Sequence, residues 1–195
     1  MENQFKNYNI ILASGSPRRQ QFLKDLELDF EIQLKPVEEI YPEHLKAEQI
    51  TDFLSELKAE AFKTGLKDND IVITSDTIVW HKGIALGKPK SKTEAIKMIK
   101  SFSNDWHDVI SSVSFTTKKQ QITKSFTTKV HFTELTDNEI EHYVNTYEPM
   151  DKAGSYGIQE WIGLIGIDRI EGSYFNVVGL PTHIVYKTLI QLTSS

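Results

Sequence analysis

The sequence contains no cysteine among its 195 residues. This absence excludes a disulfide framework, a thiolate metal site and a cysteine nucleophile. The chain also has no apolar run near the roughly 20 residues that a membrane-spanning helix needs. Residues 1–9 are polar and lack the apolar core of a secretion signal. We therefore expect a cytoplasmic protein that does not interact with a membrane.

Positive charge is in the minority, with 22 Lys and Arg against 27 Asp and Glu, for a net charge of −5. This balance argues against a broad nucleic-acid-binding surface but leaves room for a local basic pocket that takes a small anion. No internal repeat and no Pro/Gly/Ser-rich linker divides the chain. The length only slightly exceeds the roughly 150 residues of a usual domain. We therefore expect a single domain over residues 1–195.

Strand-like and helix-like segments alternate along most of the chain, which is typical of α/β proteins. Two long, adjacent segments at 107–117 and 121–133 are rich in Val, Ile, Phe and Thr. They interrupt this alternation and predict a strand pair. The other predicted strands are 8–13, 30–34, 71–74, a hairpin over 78–86 that turns at Lys82-Gly83, and 161–170. The predicted helices are 18–28, 47–64, 91–100, 136–147 and 181–192. Together they predict an α/β fold with a mixed sheet.

The first candidate site is the segment SGSPRR, residues 14–19, between a strand and a helix. Ser16 suits the N-cap and Pro17 the first helical position. The free N–H groups of a helix start attract a phosphate. Arg18 and Arg19 oppose the helix dipole, and such local conflicts often mark function. An ordinary capped helix with solvated arginines explains the pattern equally well.

Two acidic segments are candidates for proton transfer or for a hard cation. Asp76 follows the predicted strand that ends at IVITS, and ligands of α/β sheets bind beyond the carboxyl ends of strands. A carboxylate there can hold Mg²⁺ or take a proton from water. The alternative is an Asx-turn residue. Glu38 and Glu39 form a pair in a proline-flanked loop, where the alternative is two solvated side chains.

Three further positions have chemistry that suits a nucleotide. Lys88 precedes a rigid proline after the hairpin and can neutralise a phosphate, unless it is a plain surface lysine. Lys58 lies on a helix beside apolar residues, where it is either a site residue or a lysine that extends its ammonium to solvent. Gln159, in the segment GSYGIQ, can read a base edge with its amide, or simply face water. The six histidines show no HExxH spacing, and no GxSxG motif is present.

Taken together, these segments resemble the Maf family of nucleoside triphosphate pyrophosphatases. The opening ILASGSPRRQQFL looks like the signature of that family. It is followed, in the family's order and spacing, by PVEE, LKAEAF, TSDTIVW, LGKPKSKTEA, EPMDKAGSYGIQ and IEGSYFNVVGLP. The resemblance covers nearly the whole chain, and DKAGSYGIQ is similar to the branch that acts on dTTP and UTP.

The resemblance implies hydrolysis between the α- and β-phosphates, which yields a nucleoside monophosphate and pyrophosphate. It also implies an elongated, two-lobed α/β fold with a central cleft, a divalent cation such as Mg²⁺ or Mn²⁺, and often a homodimer. A house-cleaning role that removes pyrimidine triphosphates, including modified ones, and a link to arrest of cell division come with the family.

The resemblance also assigns roles to single residues. It makes Asp76 the proton acceptor and, with Glu39, a metal-binding carboxylate. The implied phosphate-facing cations are Lys58, Lys88 and Arg19. The implied determinants of base preference are Arg18, Thr77 and Gln159, and Ser14 and Ser16 belong to the substrate-binding helix start. Three positions depart from common family residues, namely Gln21 for glutamate, Glu38 for aspartate and Ser75 for alanine.

Two rival functions remain open. One is a purine-type pyrophosphatase that acts on inosine or xanthosine triphosphate. The other is a regulator of septum formation that binds nucleotides without turnover. The presence of Asp76, Glu39, Lys58 and Lys88 favours the enzyme, because a protein without turnover would more plausibly have lost one of them.

Overall fold

A computed structural model describes residues 4–194, which form seven strands, seven α-helices and one 3₁₀ turn. The strands are β1 (Asn9–Leu12), β2 (Phe30–Ile32), β3 (Asp70–His81), β4 (Ile84–Leu86), β5 (Asp105–Thr116), β6 (Gln121–Phe132) and β7 (Ile167–Glu171). The helices are α1 (Pro17–Asp25), α2 (Glu48–Glu60), α3 (Lys92–Phe102), α4 (Asp137–Tyr147), α5 (Trp161–Gly166), α6 (Tyr174–Val178) and α7 (Thr182–Thr193). The 3₁₀ turn spans Ala153–Ser155.

The strands form one hydrogen-bonded sheet in the order β2-β1-β3-β5-β6-β7, with β4 paired to β3. Strand β1 runs parallel to β2 and to β3, whereas β4 is antiparallel to β3 and β7 is antiparallel to β6. The predicted α/β class with a mixed sheet is confirmed. The two long adjacent segments are neighbouring strands, as their sequence predicts.

The chain divides into two compact units. The first holds the residues up to Asp76, Ser111–Phe126 and the chain from Gly179 onward, and the second holds Thr77–Ile110 and Thr127–Val178. The prediction of a single domain over 1–195 stays a prediction. None of the helices among residues 4–194 is both long and apolar enough to cross a membrane.

The first unit buries opposite faces of β1 and β3 in two separate clusters. Ile10 and Leu12 lie with Ile71 and Ile73 in the larger cluster, because residues two apart on a strand share a face. That cluster also contains Leu23, Leu28, Val113, Phe115, Leu180, Val185, Leu189 and Leu192. The alternate residues Ile11 and Val72 pack on Phe62 on the other side. Burial on both faces explains why these strands read as continuous apolar runs.

The second unit has an aromatic core of its own. Phe102 at the end of α3 packs against Phe132 of β6, with ring centroids 6.2 Å apart. The rings of Phe102 and His107 are closer, at 4.4 Å, and Tyr156 meets Phe132 edge to face at 5.1 Å. Phe102, Phe132 and Tyr156 thus belong to one buried cluster of the second unit.

Several local predictions are confirmed by hydrogen bonds. The hairpin turns at Lys82 and Gly83, both with positive φ, as a two-residue turn requires. Thr136 and Glu139 form the predicted capping box at α4, and Ser91 caps α3 by accepting from the Glu94 N–H at 3.2 Å. Short-range turn and cap chemistry is therefore readable from this sequence.

The predicted strand over 161–170 is wrong in its first half. Residues Trp161–Gly166 form helix α5, and only Ile167–Glu171 is a strand. The helix packs so closely that a Cβ at Gly163 would lie 1.9 Å from the Ile158 carbonyl oxygen. The glycine makes a tight turn possible within an apolar run that otherwise reads as a strand. Helix α6 and the 3₁₀ turn were not predicted either.

Candidate active site

The start of helix α1 has the geometry that its sequence predicts. Ser16 is the N-cap, with its hydroxyl accepting from the Arg19 N–H at 3.5 Å, and Pro17 is the first helical residue. The Ser16 N–H in turn donates to Oγ of the buried Ser14 at 3.3 Å. The two serines thus shape the turn between β1 and α1.

Arg19 ties this helix to the neighbouring strand. Its Nη1 donates to the Ser75 carbonyl at 2.9 Å, and its Nε donates to the Gly179 carbonyl at 3.0 Å. Burial lowers the pKa of Arg19, and the nearby charge of Asp76 partly opposes that effect. Arg18, the next residue toward the N-terminus, is half-buried, and its charge also lowers the pKa of Arg19.

Asp76 does not lie past the end of its own strand, so that expectation was wrong. Strand β3 continues without a break from Asp70 to His81, and the Asx-turn alternative is therefore also wrong. The pairing of β1 with β3 ends at Leu12 and Ile73. Asp76 thus lies beyond the carboxyl end of the neighbouring strand β1, which is where the α/β rule places ligands. A long strand beside a short one cannot be recognised from local sequence.

Lys58 brings two of the predicted carboxylates together. Its Nζ lies 2.7 Å from Oδ1 of Asp76 and 3.2 Å from Oε1 of Glu39. The side chains of Lys58 and Asp76 are 17% and 10% exposed, whereas that of Glu39 is 56% exposed. Only Oδ1 of Asp76 is hydrogen-bonded to other residues in the range 4–194, so Oδ2 has no such contact. The pair is therefore held in place but still offers one carboxylate oxygen.

Hydroxyl groups dock helix α2, which carries Lys58, onto the sheet. Thr74 on β3 donates to the Ser55 carbonyl at 2.7 Å, and Ser55 Oγ lies 2.9 Å from Ser114 Oγ on β5. One turn earlier, Thr51 Oγ1 lies 2.6 Å from Ser112 Oγ. Thr74 and Asp76 share one face of β3, so the same docking brings the Asp76 carboxylate to Lys58.

These docking hydroxyls were not recognised as site-forming in the sequence, although a signal exists. Thr51, Ser55 and Lys58 are spaced four and three residues apart, which places them on one face of a helix. Ser112 and Ser114 alternate with the apolar Val113 and Phe115 in the predicted strand. Two matched rows of small polar residues on a helix and a strand indicate a helix–sheet contact made by hydrogen bonds.

The donor atoms of Asp76 and Glu39 suit a hard divalent cation. Mg²⁺ is usually held by one or two carboxylates, with waters and substrate phosphates completing its shell. The described residues contain no group of three or more His, Asp or Glu that is arranged to hold a metal. The ammonium of Lys58 contacts both carboxylates, so a cation would use their other oxygens. The two acids therefore fit a cation shared with a ligand.

The remaining predicted residues belong to the second unit. Thr77 follows Asp76 on β3 and is half-buried. Lys88 is exposed beside the buried Pro89, and its ammonium makes no ion pair within residues 4–194. Gln159 is exposed, although the five residues before it are buried. The polar groups of the Lys88 and Gln159 side chains therefore make no hydrogen bond or ion pair with residues 4–194.

Comparison with known proteins finds the Maf family, described as Maf-like protein, over residues 9–192. The chain is 60% identical over 195 residues to the dTTP/UTP pyrophosphatase of Christiangramia forsetii, covering 100% of both chains. It is 58% identical to the dTTP/UTP pyrophosphatase of Flavobacterium johnsoniae over 192 residues, 98% of this chain and 99% of the relative. Among solved structures, the Ham1 protein of Staphylococcus aureus shares 18% identity at a TM-score of 0.49, covering 92% of this chain and 99% of that chain.

Proposed function

The chain belongs to the Maf family, and we propose that it hydrolyses dTTP and UTP between the α- and β-phosphates, releasing a nucleoside monophosphate and pyrophosphate. The observation that supports this most directly is the Lys58 ammonium held between Asp76 and Glu39. High identity over the full length to two relatives named dTTP/UTP pyrophosphatase supports the substrate class.

In the proposed reaction, Asp76 accepts a proton from the attacking water. The hydrogen bond from Lys58 to Oδ1 holds this carboxylate in place before the water arrives. The oxygen of the water forms a bond to phosphorus while the bond between phosphorus and the bridging oxygen breaks. The electron pair of that bond leaves with pyrophosphate.

Positive side chains stabilise the charge that develops on the leaving pyrophosphate. Lys58, Lys88 and Arg19 are the proposed cations, and pre-placed charges of this kind act most strongly on the transition state. Arg19 is held by two backbone carbonyls, so it keeps its position before substrate arrives. Ser14 and Ser16 offer the start of helix α1 to a phosphate.

We also propose that Mg²⁺ or Mn²⁺ binds with the substrate, held by Asp76 and Glu39. When bound, such a cation neutralises phosphate oxygens. The exposed Glu39 side chain can adjust its position as the cation and the triphosphate arrive, whereas Asp76 is fixed by Lys58.

Base preference is assigned to Gln159, Arg18 and Thr77. Uracil and thymine present two carbonyls around one N–H, and the Gln159 amide supplies both a donor and an acceptor. Cytosine replaces one carbonyl with an amino group, so a donor would face a donor. A buried mismatch of this kind costs roughly 1–3 kcal/mol, which predicts dTTP and UTP ahead of CTP.

The biological setting follows from this chemistry. An enzyme that removes free nucleoside triphosphates would act in the cytoplasm and limit pyrimidine triphosphates, including modified ones. The homodimer, the link to cell division and the absence of a nucleic-acid partner stay predictions.

A pyrophosphate-release assay tests the proposed function. The full-length protein is incubated with dTTP, UTP, CTP, dITP or 7-methyl-GTP, with Mg²⁺, with Mn²⁺ or with EDTA. We expect rapid pyrophosphate release from dTTP and UTP, slower release from CTP, and no turnover in EDTA until either cation is restored.

Each contrary outcome has a definite meaning. Orthophosphate as the first product would overturn the proposed bond cleavage. Preference for dITP would indicate a purine-type pyrophosphatase. Tight binding of UTP without turnover of any substrate would indicate the regulator instead of the enzyme.

A further inference from the structure

Polar contacts within the second unit anchor the loop that carries Gln159. The Gly157 N–H donates to the hydroxyl of Tyr143 on α4 at 3.0 Å. The same hydroxyl donates to Oε2 of Glu160 through a short hydrogen bond. Tyr143 is fully buried, so neither contact is replaced by water. One side chain thus bridges the two residues that flank Ile158 and Gln159.

A lysine completes this arrangement from the other end of the loop. Lys152 Nζ lies 3.0 Å from Oε1 of Glu160, and the side chains are only 11% and 20% exposed. The Glu160 carboxylate therefore binds Lys152 with one oxygen and Tyr143 with the other. Burial raises the pKa of Tyr143, and the hydrogen bond to Glu160 raises this pKa further. The Tyr143 hydroxyl therefore stays protonated and remains a donor.

The backbone at Gly157 shows why this position is fixed so tightly. A Cβ there would lie 2.8 Å from Cδ of Glu160, so the carboxylate fills the space of the missing side chain. On the other side of Tyr156, the Gly154 N–H donates to the Gly87 carbonyl at 3.1 Å. Gly87 immediately precedes Lys88, so the loop is also tied to the segment that carries this lysine.

We propose that Tyr143, Glu160 and Lys152 are positioning residues that set the direction of the Gln159 side chain and so determine pyrimidine selectivity. We call these three residues the loop clamp. The inference rests on the proposed function of Gln159 as the reader of the base. The loop clamp itself does not touch the base in this proposal. It acts by fixing the backbone on both sides of Gln159.

The reason to expect selectivity, and not only stability, is geometric. Gln159 is exposed, so its side-chain amide does not pack in the core of the second unit. The direction of its side chain is therefore set by the backbone at 157–160. Discrimination between a carbonyl and an amino group depends on angle as well as distance, because hydrogen bonds weaken steeply below about 120°.

The test compares Tyr143→Phe with the unmodified protein. Phenylalanine keeps the ring in the core but removes the hydroxyl that Gly157 and Glu160 share. We expect the ratio of kcat/KM for UTP over CTP to fall by about 5-fold or more, the lower limit for one lost polar match. KM for UTP should rise more than kcat falls, and Gln159→Ala should give a similar ratio.

Three further variants separate the loop clamp from general destabilisation. Val130→Ala removes apolar volume from the same core, so it should lower the unfolding midpoint and leave the UTP/CTP ratio unchanged. Lys152→Met should lower the ratio, whereas Lys152→Arg keeps the ion pair and should restore it. A ratio that follows stability across all four variants would overturn the proposal.

Hydrogen exchange of the Gly157 amide provides a readout independent of activity. In Tyr143→Phe this amide should exchange faster, while amides of β6 should not. Unchanged exchange would refute the loop clamp whatever the enzyme assays show. If the unmodified protein shows no preference for UTP over CTP, the proposed reader fails, and with it the selectivity role. A preserved preference in Tyr143→Phe would refute only the loop clamp.

Discussion

Asp76 and Asp70 are two buried carboxylates on one strand with different surroundings. Asp70 Oδ1 accepts from Asn9 Nδ2 at 3.1 Å, and its Oδ2 accepts from the Lys67 N–H at 2.9 Å. Both of its oxygens are therefore used by the fold. Asp76 uses one oxygen for Lys58, and its other oxygen makes no hydrogen bond to residues 4–194. The same residue type thus serves structure at one position and suits chemistry at the other.

This difference leads to a paired prediction for the two aspartates. Asp76→Asn should reduce turnover of UTP by about 10²- to 10⁴-fold, because the basic oxygen is lost while size is kept. Asp70→Asn should reduce stability and leave kcat nearly unchanged. Steady-state kinetics and urea unfolding on both variants check this. Near-normal turnover of Asp76→Asn at saturating Mg²⁺ would remove Asp76 from the proposed role.

Ser75 carries a hydroxyl that the fold does not use. The residue is 2% exposed, and its Oγ has no hydrogen-bond partner within residues 4–194. Burying an unpaired hydroxyl costs roughly 1–3 kcal/mol. The carbonyl of Ser75, which accepts from Arg19, does not depend on the side chain.

We therefore expect Ser75→Ala to stabilise the protein by about 1 kcal/mol. Ser112→Ala is the matched control, because its hydroxyl is paired with Thr51 and Asp52 and its loss should destabilise. Urea unfolding of both variants measures the difference. A destabilised Ser75→Ala would mean that the hydroxyl has a partner outside the described residues or in solvent.

At the scale of elements, helix α2 is oriented by polar contacts as well as by apolar ones. Its buried face includes Ile50 and Leu54 but also Thr51 and Ser55, which meet serines of β5. Apolar packing tolerates sliding, whereas hydrogen bonds between short side chains fix the register of helix on strand. That register decides whether Lys58 reaches Asp76.

Removing one hydroxyl from this contact should affect both stability and activity. Ser114→Ala leaves Ser55 and Thr123 without a shared partner, and we expect a loss of roughly 1–3 kcal/mol in unfolding free energy. The double variant Ser55→Ala/Ser114→Ala should lose less than the sum of the single variants, because both members of the Ser55–Ser114 pair are then absent and only Thr123 still lacks a partner. Chemical unfolding of the three variants tests this, and strict additivity would contradict the pairing. Turnover should fall in the single variants, since Lys58 loses its fixed register.

At the scale of the whole molecule, each unit has its own core, and the boundary between Asp76 and Thr77 falls inside β3. The second core also contains a buried histidine. Burial, with a smaller effect from the nearby His81, lowers the pKa of His107 to about 3. His107 is therefore neutral in the folded protein at neutral pH.

This lowered pKa predicts how the whole protein responds to acid. In the unfolded chain a histidine has a pKa of about 6.5. Below that pH, His107 therefore binds a proton in the unfolded chain but not in the folded protein. The contribution of the neutral His107 to the free energy of unfolding is fully present above a pH of about 6.5. It is lost by up to about 1.4 kcal/mol per pH unit as the pH falls toward 3.

Urea unfolding at several pH values between 7 and 4 measures this dependence. His107→Gln removes the titrating ring but can still bond the Tyr156 hydroxyl, which lies 2.7 Å from His107 Nε2. Its stability should change less with pH than that of the unmodified protein. His44→Gln removes an exposed histidine and serves as the control, with an unchanged slope. An unchanged slope in His107→Gln would contradict the buried, neutral state.

The sequence by itself determined the features that depend on neighbouring residues. The hairpin at Lys82-Gly83, the capping box at Thr136 and the N-cap at Ser16 follow from side chains that bond backbone within three or four residues. The α/β class followed from strand and helix periods. The ordered motifs of the family also identified the candidate residues, because a motif match names residues without requiring knowledge of which elements pack together.

Only the tertiary structure decided what depends on distant segments. The continuation of β3 through Asp76 depends on where its neighbour β1 ends, and helix α5 depends on how closely Gly163 approaches Ile158. The contact of Lys58 with Asp76 and Glu39 joins a helix, a strand and a loop. Side-chain hydrogen bonds and packing act over a few ångströms in space, whatever the separation of the residues in sequence. Local sequence patterns therefore do not predict which elements contact one another.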